Sequence, residues 1–362
     1  MFHLDIAKDA IVALLTAFIA LSNGAANLLT KYWPHESPYD ISYIEAPSDT
    51  TSPLLGINTL ITEQLQRDTR YQQASTIDAV SATSAVPSVS IEDALVNIFC
   101  TAHTGKKVRA TTGSGVFIDS DGIILTNAHV AQFLLLAGTV EDTETTCTIR
   151  QGNPAVSKYE ASLLYISPTW IEQNAHQLYA DKPSGTGERD FALLYVTTSL
   201  DGELPSSFPA LPPLVLDEAF DPTSVRVAGY PAEMLTERDA HGALIPAIAT
   251  TSITRLFTFH SGSIDLVGIA PSDVGQQGSS GGPIVSDEGA VVGLIVTRGN
   301  PELEGIKSLR ALTLPYIDRT LKTETGLDLS HTLAGDIPLR AQTFQETLAP
   351  HLRDFLMQHL DE

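Results

Sequence analysis

Gly278-Ser279-Ser280-Gly281-Gly282-Pro283 sets a serine in a glycine-rich turn that runs straight into a short apolar segment, Pro283 to Ser286. A hydroxyl that attacks a carbonyl must stabilise the oxyanion it creates, and backbone N–H groups aimed at that oxygen do so. The Gly-x-Ser spacing offers two, those of Gly278 and Ser280, and glycine at 278 allows a tight approach. The turn therefore points to acyl transfer with Ser280 as nucleophile.

Such a nucleophile needs a general base and an acid that orients the base. Gly113 to Val130 holds two apolar runs joined at Asp119-Ser120-Asp121-Gly122, a hairpin signal, and His129 stands just past the second run. Between the histidine and the serine, Gly187-Glu188-Arg189-Asp190 leads into Phe191-Ala192-Leu193-Leu194-Tyr195-Val196. That run is apolar enough for a strand buried on both faces, with one carboxylate at its lip. His129 is the candidate base and Asp190 the candidate orienting acid. An unperturbed histidine titrates near ~6.5, so activity is expected to rise from mildly acidic to neutral pH.

Thr126-Asn127-Ala128-His129, Asp190-Phe191-Ala192-Leu193-Leu194 and Gly278-x-Ser280-Gly281-Gly282-Pro283, in that order, resemble the three signature segments of trypsin-like serine proteases. The nearer branch is the bacterial Deg (high-temperature-requirement) group, and the resemblance spans roughly residues 90 to 320. It implies an all-β fold of two packed six-stranded antiparallel β-barrels, with helices flanking both termini. His129 and Asp190 would come from the first barrel and Ser280 from the second. It also implies a serine endopeptidase working through an acyl-enzyme, an oxyanion hole of Gly278 and Ser280, and no cofactor. Digestive members carry an aspartate before the nucleophile, which pairs with a newly cut N-terminus; Ser279 stands there in this chain. With no carboxylate to receive a buried ammonium group, no obligatory zymogen cleavage is expected. The competing class is a catalytically inactive trypsin-like scaffold that binds proteins at the cell surface, which requires the loss of a triad member, and none is lost. An esterase with Gly-x-Ser-x-Gly would place its histidine last, contrary to the order here.

The resemblance lines the substrate pocket with the segment before Ser280 and with Gly293 to Gly299. Val274, Ile295, Val296 and Thr297 would suit a small or medium aliphatic side chain. Arg298 reads either as a contact for an acidic side chain or as a solvated strand end. Asp273 reads either as a pocket charge for a basic residue or as a loop aspartate.

Further short apolar runs, separated by Gly, Pro and Asp, agree with barrels: Val108 to Ile118, Gly122 to Asn127, Ala161 to Ile166, Ser224 to Tyr230, Ala249 to Phe257, Ile264 to Ala270, Ala290 to Thr297 and Ser308 to Leu314. Pro315 to Lys322 reads as a closing helix stopped by Gly326, and Ser90-Ile91-Glu92-Asp93 as a capping box ahead of a helical Ala94 to Phe99. The organisation expected is a signal peptide or membrane anchor at 1–33, a polar linker at 34–89, the protease domain at 90–326 and a helical tail at 327–362.

The anchor reading rests on the apolar run Ala10 to Leu21, continued to Leu29. The first part suits a secretory h-region of ~7–15 residues and the whole a weak span of ~20. Leu60 to Ala74 could form a helix within the linker. The tail is too short for the PDZ domain of many Deg-type proteases. In it Phe344, Leu348, Leu352, Phe355, Leu356 and Leu360 recur at helical spacing, for docking on the protease body or for homo-oligomerisation. The protein is read as extracytoplasmic, anchored through residues 10–29 or secreted.

Cys100 and Cys147 flank His129 and are candidates for a disulfide, tolerated by an exported protein, or for two buried thiols. No CxxC, HExxH or metal-spaced histidine pattern occurs, so no metal is expected. With 21 basic against 43 acidic residues the net charge is −22, which removes any electrostatic case for nucleic acid. Protein or peptide substrates remain as partners.

Overall fold

Every residue from Phe191 to Leu194 is fully buried, because two β-sheets pack so that central strands of the first have no solvent side. The computed structural model describes residues 41–43, 89–104, 107–140, 143–178, 185–215, 224–232, 244–259, 262–299 and 304–359. The apolar run at 10–29 and the expected helix at 60–74 lie outside these residues. Among the described residues no helix is long and apolar enough to cross a membrane.

A three-residue strand β1 (Ile41–Tyr43) comes first, inside the segment read as linker. The first sheet holds β2 (Leu95–Thr104), β3 (Lys107–Asp119), β4 (Ile123–Thr126), β5 (Gly138–Val140), β6 (Thr143–Gln151), β7 (Val156–Ile166) and β8 (Ala192–Ser199). Its order is β2-β3-β4-β8-β7-β6-β5, and β2 also pairs with β6, which closes six antiparallel strands into a barrel. Because side chains alternate along a strand, each strand feeds two cores. Ile123, Leu125 and Leu193 join a cluster shared with the second sheet, whereas Ile124, Ala192 and Leu194 join one completed by helices.

The second sheet holds β9 (Val225–Gly229), β10 (Ala247–Thr251), β11 (Ile253–Thr258), β12 (Leu266–Ile269), β13 (Pro283–Val285), β14 (Val291–Arg298) and β15 (Leu309–Thr313). Its order is β1-β11-β12-β15-β14-β13-β9-β10, with β1 parallel to β11. This corrects the expectation of two closed barrels, since by hydrogen bonding the second sheet is open. The run read as one strand from Ala249 to Phe257 breaks at Ser252, so that β10 pairs with β9 at one edge and β11 pairs with β12 near the other. The covalent chain through Ser252 thus joins the two sides of a curved sheet that no ladder closes.

Ser90 caps α1 (Ile91–Ala94), its hydroxyl accepting from the Asp93 N–H at 3.1 Å. The helix expected to continue to Phe99 is instead strand β2. Pairing with β3 on one side and β6 on the other, and burial of Val96, Ile98 and Cys100, outweigh the local capping signal. The remaining helices are α2 (Ala128–Leu135), α3 (Pro168–Asn174), α4 (Leu314–Thr325), α5 (Leu329–Thr332) and α6 (Ile337–Gln358). As the sequence suggests, α4 has proline in its first turn and ends at Gly326 in the left-handed conformation (φ 78°).

The tail forms α6, whose Phe344, Leu348, Leu352 and Leu356 enter the same core as Ala131, Leu134 and Leu135 of α2. Arg353 Nε donates to the Leu135 carbonyl at 2.6 Å, satisfying one of the open carbonyls at the end of α2. At roughly 1.5–3 kcal/mol per buried large apolar side chain, this face is enough to hold the helix in place.

Cys100 and Cys147 stand opposite each other in the β2–β6 ladder that closes the barrel, and their sulfurs are joined at 2.10 Å. The link spans 47 residues of sequence, and constraining the unfolded chain by a loop of that size is worth about 4 kcal/mol. Replacing both cysteines by serine is therefore expected to lower the unfolding free energy by roughly 2–4 kcal/mol in urea titrations. Two reactive thiols in the denatured, unreduced chain would contradict the bridge.

Candidate active site

His129 is the second residue of α2, and Asn127 precedes that helix in extended conformation (φ −84°, ψ 152°). The Asn127 side chain does not cap α2; its Nδ2 donates to the Asp190 carbonyl at 2.8 Å. Asp190 sits in the turn just before β8, and both its carboxylate oxygens meet His129. Oδ1 accepts the His129 backbone N–H at 2.9 Å and Oδ2 accepts from Nδ1 at 2.7 Å. An ionised carboxylate only accepts, so Nδ1 carries the proton and the neutral ring leaves Nε2 as an acceptor. The histidine side chain is 31% exposed against 7% for the aspartate, which leaves the ring reachable while its partner is shielded. Burial alone would push the His129 pKa down, yet the Asp190 charge and hydrogen bond together outweigh it and raise it above the ordinary value of 6.5.

The loop carrying Ser280 is a chain of tight turns. Gly275 donates to the Ser272 carbonyl, Gln276 to Val274, Ser279 to Gln276 and Gly282 to Ser279. Gly281 N–H donates to the Ile295 carbonyl and Ile295 N–H to that of Gly282, each at 2.9 Å, so β14 grips the loop. Gly278 and Gly281 have φ of 94° and 86°, and a Cβ on either would lie 2.5 Å from the Tyr230 oxygen or 2.0 Å from the Ser114 oxygen. Only glycine satisfies both constraints.

Two peptide planes in this loop are held by their carbonyls. The Gln277 oxygen accepts from Ala232 N–H at 2.7 Å and the Ser279 oxygen from Gly282 N–H at 3.0 Å. In a trans peptide the N–H points opposite to the C=O, so the N–H groups of Gly278 and Ser280 are turned away from these partners. Among the described residues neither has a protein acceptor, and both stay available to an oxyanion.

Ser114, in β3, joins the two halves of this arrangement. Its N–H donates to the Ser280 carbonyl at 2.7 Å, its hydroxyl donates to the Gly278 carbonyl at 2.7 Å, and that hydroxyl accepts from Tyr230 N–H at 2.8 Å. Its own carbonyl accepts from Thr126 Oγ1 at 2.7 Å, three residues before His129. The neighbouring Gly113 packs directly under Val130, the residue after His129. Composition did not flag Ser114; its setting between Gly113 and Gly115 was the one available signal.

The expected pocket residues are less uniform. Val274 and Ile295 are buried, the latter beside the Ser280 loop. Val296 is also buried and faces Gly187, its Cγ2 2.9 Å from where a Cβ on that glycine would stand, with Thr297 Cγ2 at 3.8 Å. Val296 and Thr297 thus border the turn that carries Asp190. Asp273 is exposed and lies 3.2 Å from Lys307 Nζ. Ser279 is fully buried, with Gly229 packed tightly against it. Among the described residues no group of side chains could hold a metal ion.

A family profile described as the trypsin-like peptidase domain matches residues 113–294, the span from just before Ser114 to β14. Among solved structures, the Rv3671c protease from M. tuberculosis in its active form is similar over 79% of this chain and 90% of that chain, at 17% identity and a TM-score of 0.39. No curated protein matches the sequence.

Ser114→Ala would leave the Gly278 carbonyl and the Tyr230 N–H buried without their partner, at about 1–3 kcal/mol for each group. The expected outcome is a loss of stability of that order in denaturant titrations. Labelling of Ser280 by a reactive phosphonate should fall by more than the unfolded fraction explains.

Proposed function

We propose, since the chain belongs to the trypsin-like peptidase family and is thereby a protease, that it is a serine endopeptidase with Ser280 as nucleophile, His129 as base and Asp190 as orienting acid. The observation that carries this reading is the pair of hydrogen bonds that one buried carboxylate accepts from the backbone N–H and the ring of His129. Ser280 Oγ attacks the scissile carbonyl while Nε2 of His129 takes its proton. The oxyanion is received by the N–H groups of Gly278 and Ser280. The tetrahedral species collapses as His129 returns the proton to the leaving amine, giving an acyl-enzyme on Ser280. Water, deprotonated by the same histidine, then releases the acid.

The finer assignments are part of the same proposal. Val274, Ile295, Val296 and Thr297 border a pocket for a small aliphatic side chain, and the protein is nearest in kind to the Deg group. The protease domain at 90–326 carries its tail at 327–362, behind a linker at 34–89 and an export signal or anchor at 1–33. The reading is of an extracytoplasmic enzyme.

A fluorophosphonate probe is expected to label the wild type at one serine and to leave Ser280→Ala and His129→Ala unlabelled. No labelling of the folded wild type would sink the assignment. His129 must be neutral to accept a proton, and its pKa is raised, so the rate should be lost as pH falls through a midpoint above ~6.5. Asp190→Asn should slow labelling at pH 8 by roughly four orders of magnitude. A flat pH profile between 5 and 8, or an unimpaired Asp190→Asn, would count against these roles.

A further inference from the structure

We propose that Glu324, on α4 after the second sheet, is a positioning residue for Asp190 and acts through Arg189; this rests on the triad reading given above. Arg189 immediately precedes Asp190 and has φ 56°, a left-handed backbone that among the described non-glycine residues only Lys307 shares. A side chain with a Cβ disfavours that conformation, so something outside the turn must hold it.

Contacts from α4 do so, joined by one within the turn. Arg189 Nε lies 3.3 Å from Glu324 Oε1, and its Nη1 lies 2.6 Å from Glu188 Oε1. Its backbone N–H donates to the Tyr316 hydroxyl oxygen at 3.1 Å, again from α4. Glu324 is itself fixed and almost wholly buried, accepting from Tyr165 Oη of β7 at 2.5 Å and from Ser167 Oγ, the cap of α3, at 2.9 Å. Burial pushes its carboxyl above the ordinary range, while the hydroxyls of Tyr165 and Ser167 and the Arg189 guanidinium pull it back.

The consequence reaches the site through one turn. Asp190 N–H donates to the Gly187 carbonyl at 3.2 Å and Phe191 N–H to the Arg189 carbonyl at 2.9 Å, a geometry that depends on the left-handed Arg189. With Arg189 relaxed to negative φ, the following peptide turns and carries the Asp190 carboxylate off the two donors of His129. Glu188, Tyr316 and Glu324 are buried. A cluster that served stability alone would have no reason to act on the pH response of His129, and that separates the two roles.

The test follows phosphonate labelling of the full chain against pH, separating the maximal inactivation rate from the probe's binding constant. Glu324→Gln is expected to lower the rate constant by about 10–100-fold, to change probe binding little, and to move the acid midpoint to lower pH. The triple variant Glu188→Gln/Arg189→Gly/Glu324→Gln neutralises the cluster and lets residue 189 adopt positive φ without strain, so it should recover most of the rate and the midpoint. If Glu324→Gln does not fold, Tyr316→Phe, which deletes one oxygen, should show the same fall and shift on a smaller scale. A wild-type rate and midpoint in the single variant overturns the inference. So does a loss of labelling that only follows the unfolded fraction with the midpoint unmoved, or a glycine variant as slow as Glu324→Gln. Absence of labelling in the folded wild type overturns the triad reading, and this inference with it.

Discussion

The hydrogen bonds of Ser114 are the constraint on which the site depends. Its N–H and its hydroxyl hold two carbonyls of the Ser280 loop, while its own carbonyl is held by Thr126, close to His129. The two sheets have separate ladders and share an apolar core, and the Ser114 bonds are what fix the Ser280 loop of one against β3 and the Thr126 end of β4 in the other. These bonds lie in a fully buried environment, where a polar group left without its partner is costly. The arrangement is therefore close to all-or-none. Gly278 and Gly281 exist to let the backbones come that close, and their positive φ is a consequence of the approach rather than of the turn alone.

A second layer of support comes from the C-terminal helices. Through Arg353 and four apolar side chains, α6 is fastened to α2, the helix that carries His129, while α4 reaches Arg189 beside Asp190. His129 and Asp190 are thus each braced from behind by chain that follows the second sheet. The pairing of His129 with Asp190 pulls the imidazole pKa upward against burial.

Much of this was legible in the sequence because it is written in short, local patterns. The His129, Asp190 and Ser280 segments could be read from residue type and spacing, and so could the Gly326 helix stop and the apolar stripe of α6. What escaped was decided at a distance. Leu95 to Phe99 follows the helix-capping signal of Ser90 to Asp93 yet is strand β2, because it pairs with β3 and with β6, which lies far along the chain. Thr143 to Gln151 is too polar to announce the strand that closes the barrel. The open second sheet depends on a bend at Ser252 that no residue type betrays. Ser114, Arg189 and Glu324 are ordinary residues until the fold brings them to the site, and their importance is a property of contacts far apart along the chain, as between Ser114 and Ser280.

In the proposed mechanism Ser280 is the acylated nucleophile and the N–H groups of Gly278 and Ser280 receive the oxyanion. The most direct measurement is a crystal structure of the protein with a peptidyl boronate, whose tetrahedral adduct stands in for the attacked carbonyl. The expected adduct has a bond from boron to Ser280 Oγ, with one boronate oxygen within about 2.7–3.1 Å of both N–H groups and another facing His129. A boronate bonded to any other residue, or an oxygen that contacts neither N–H, would contradict it.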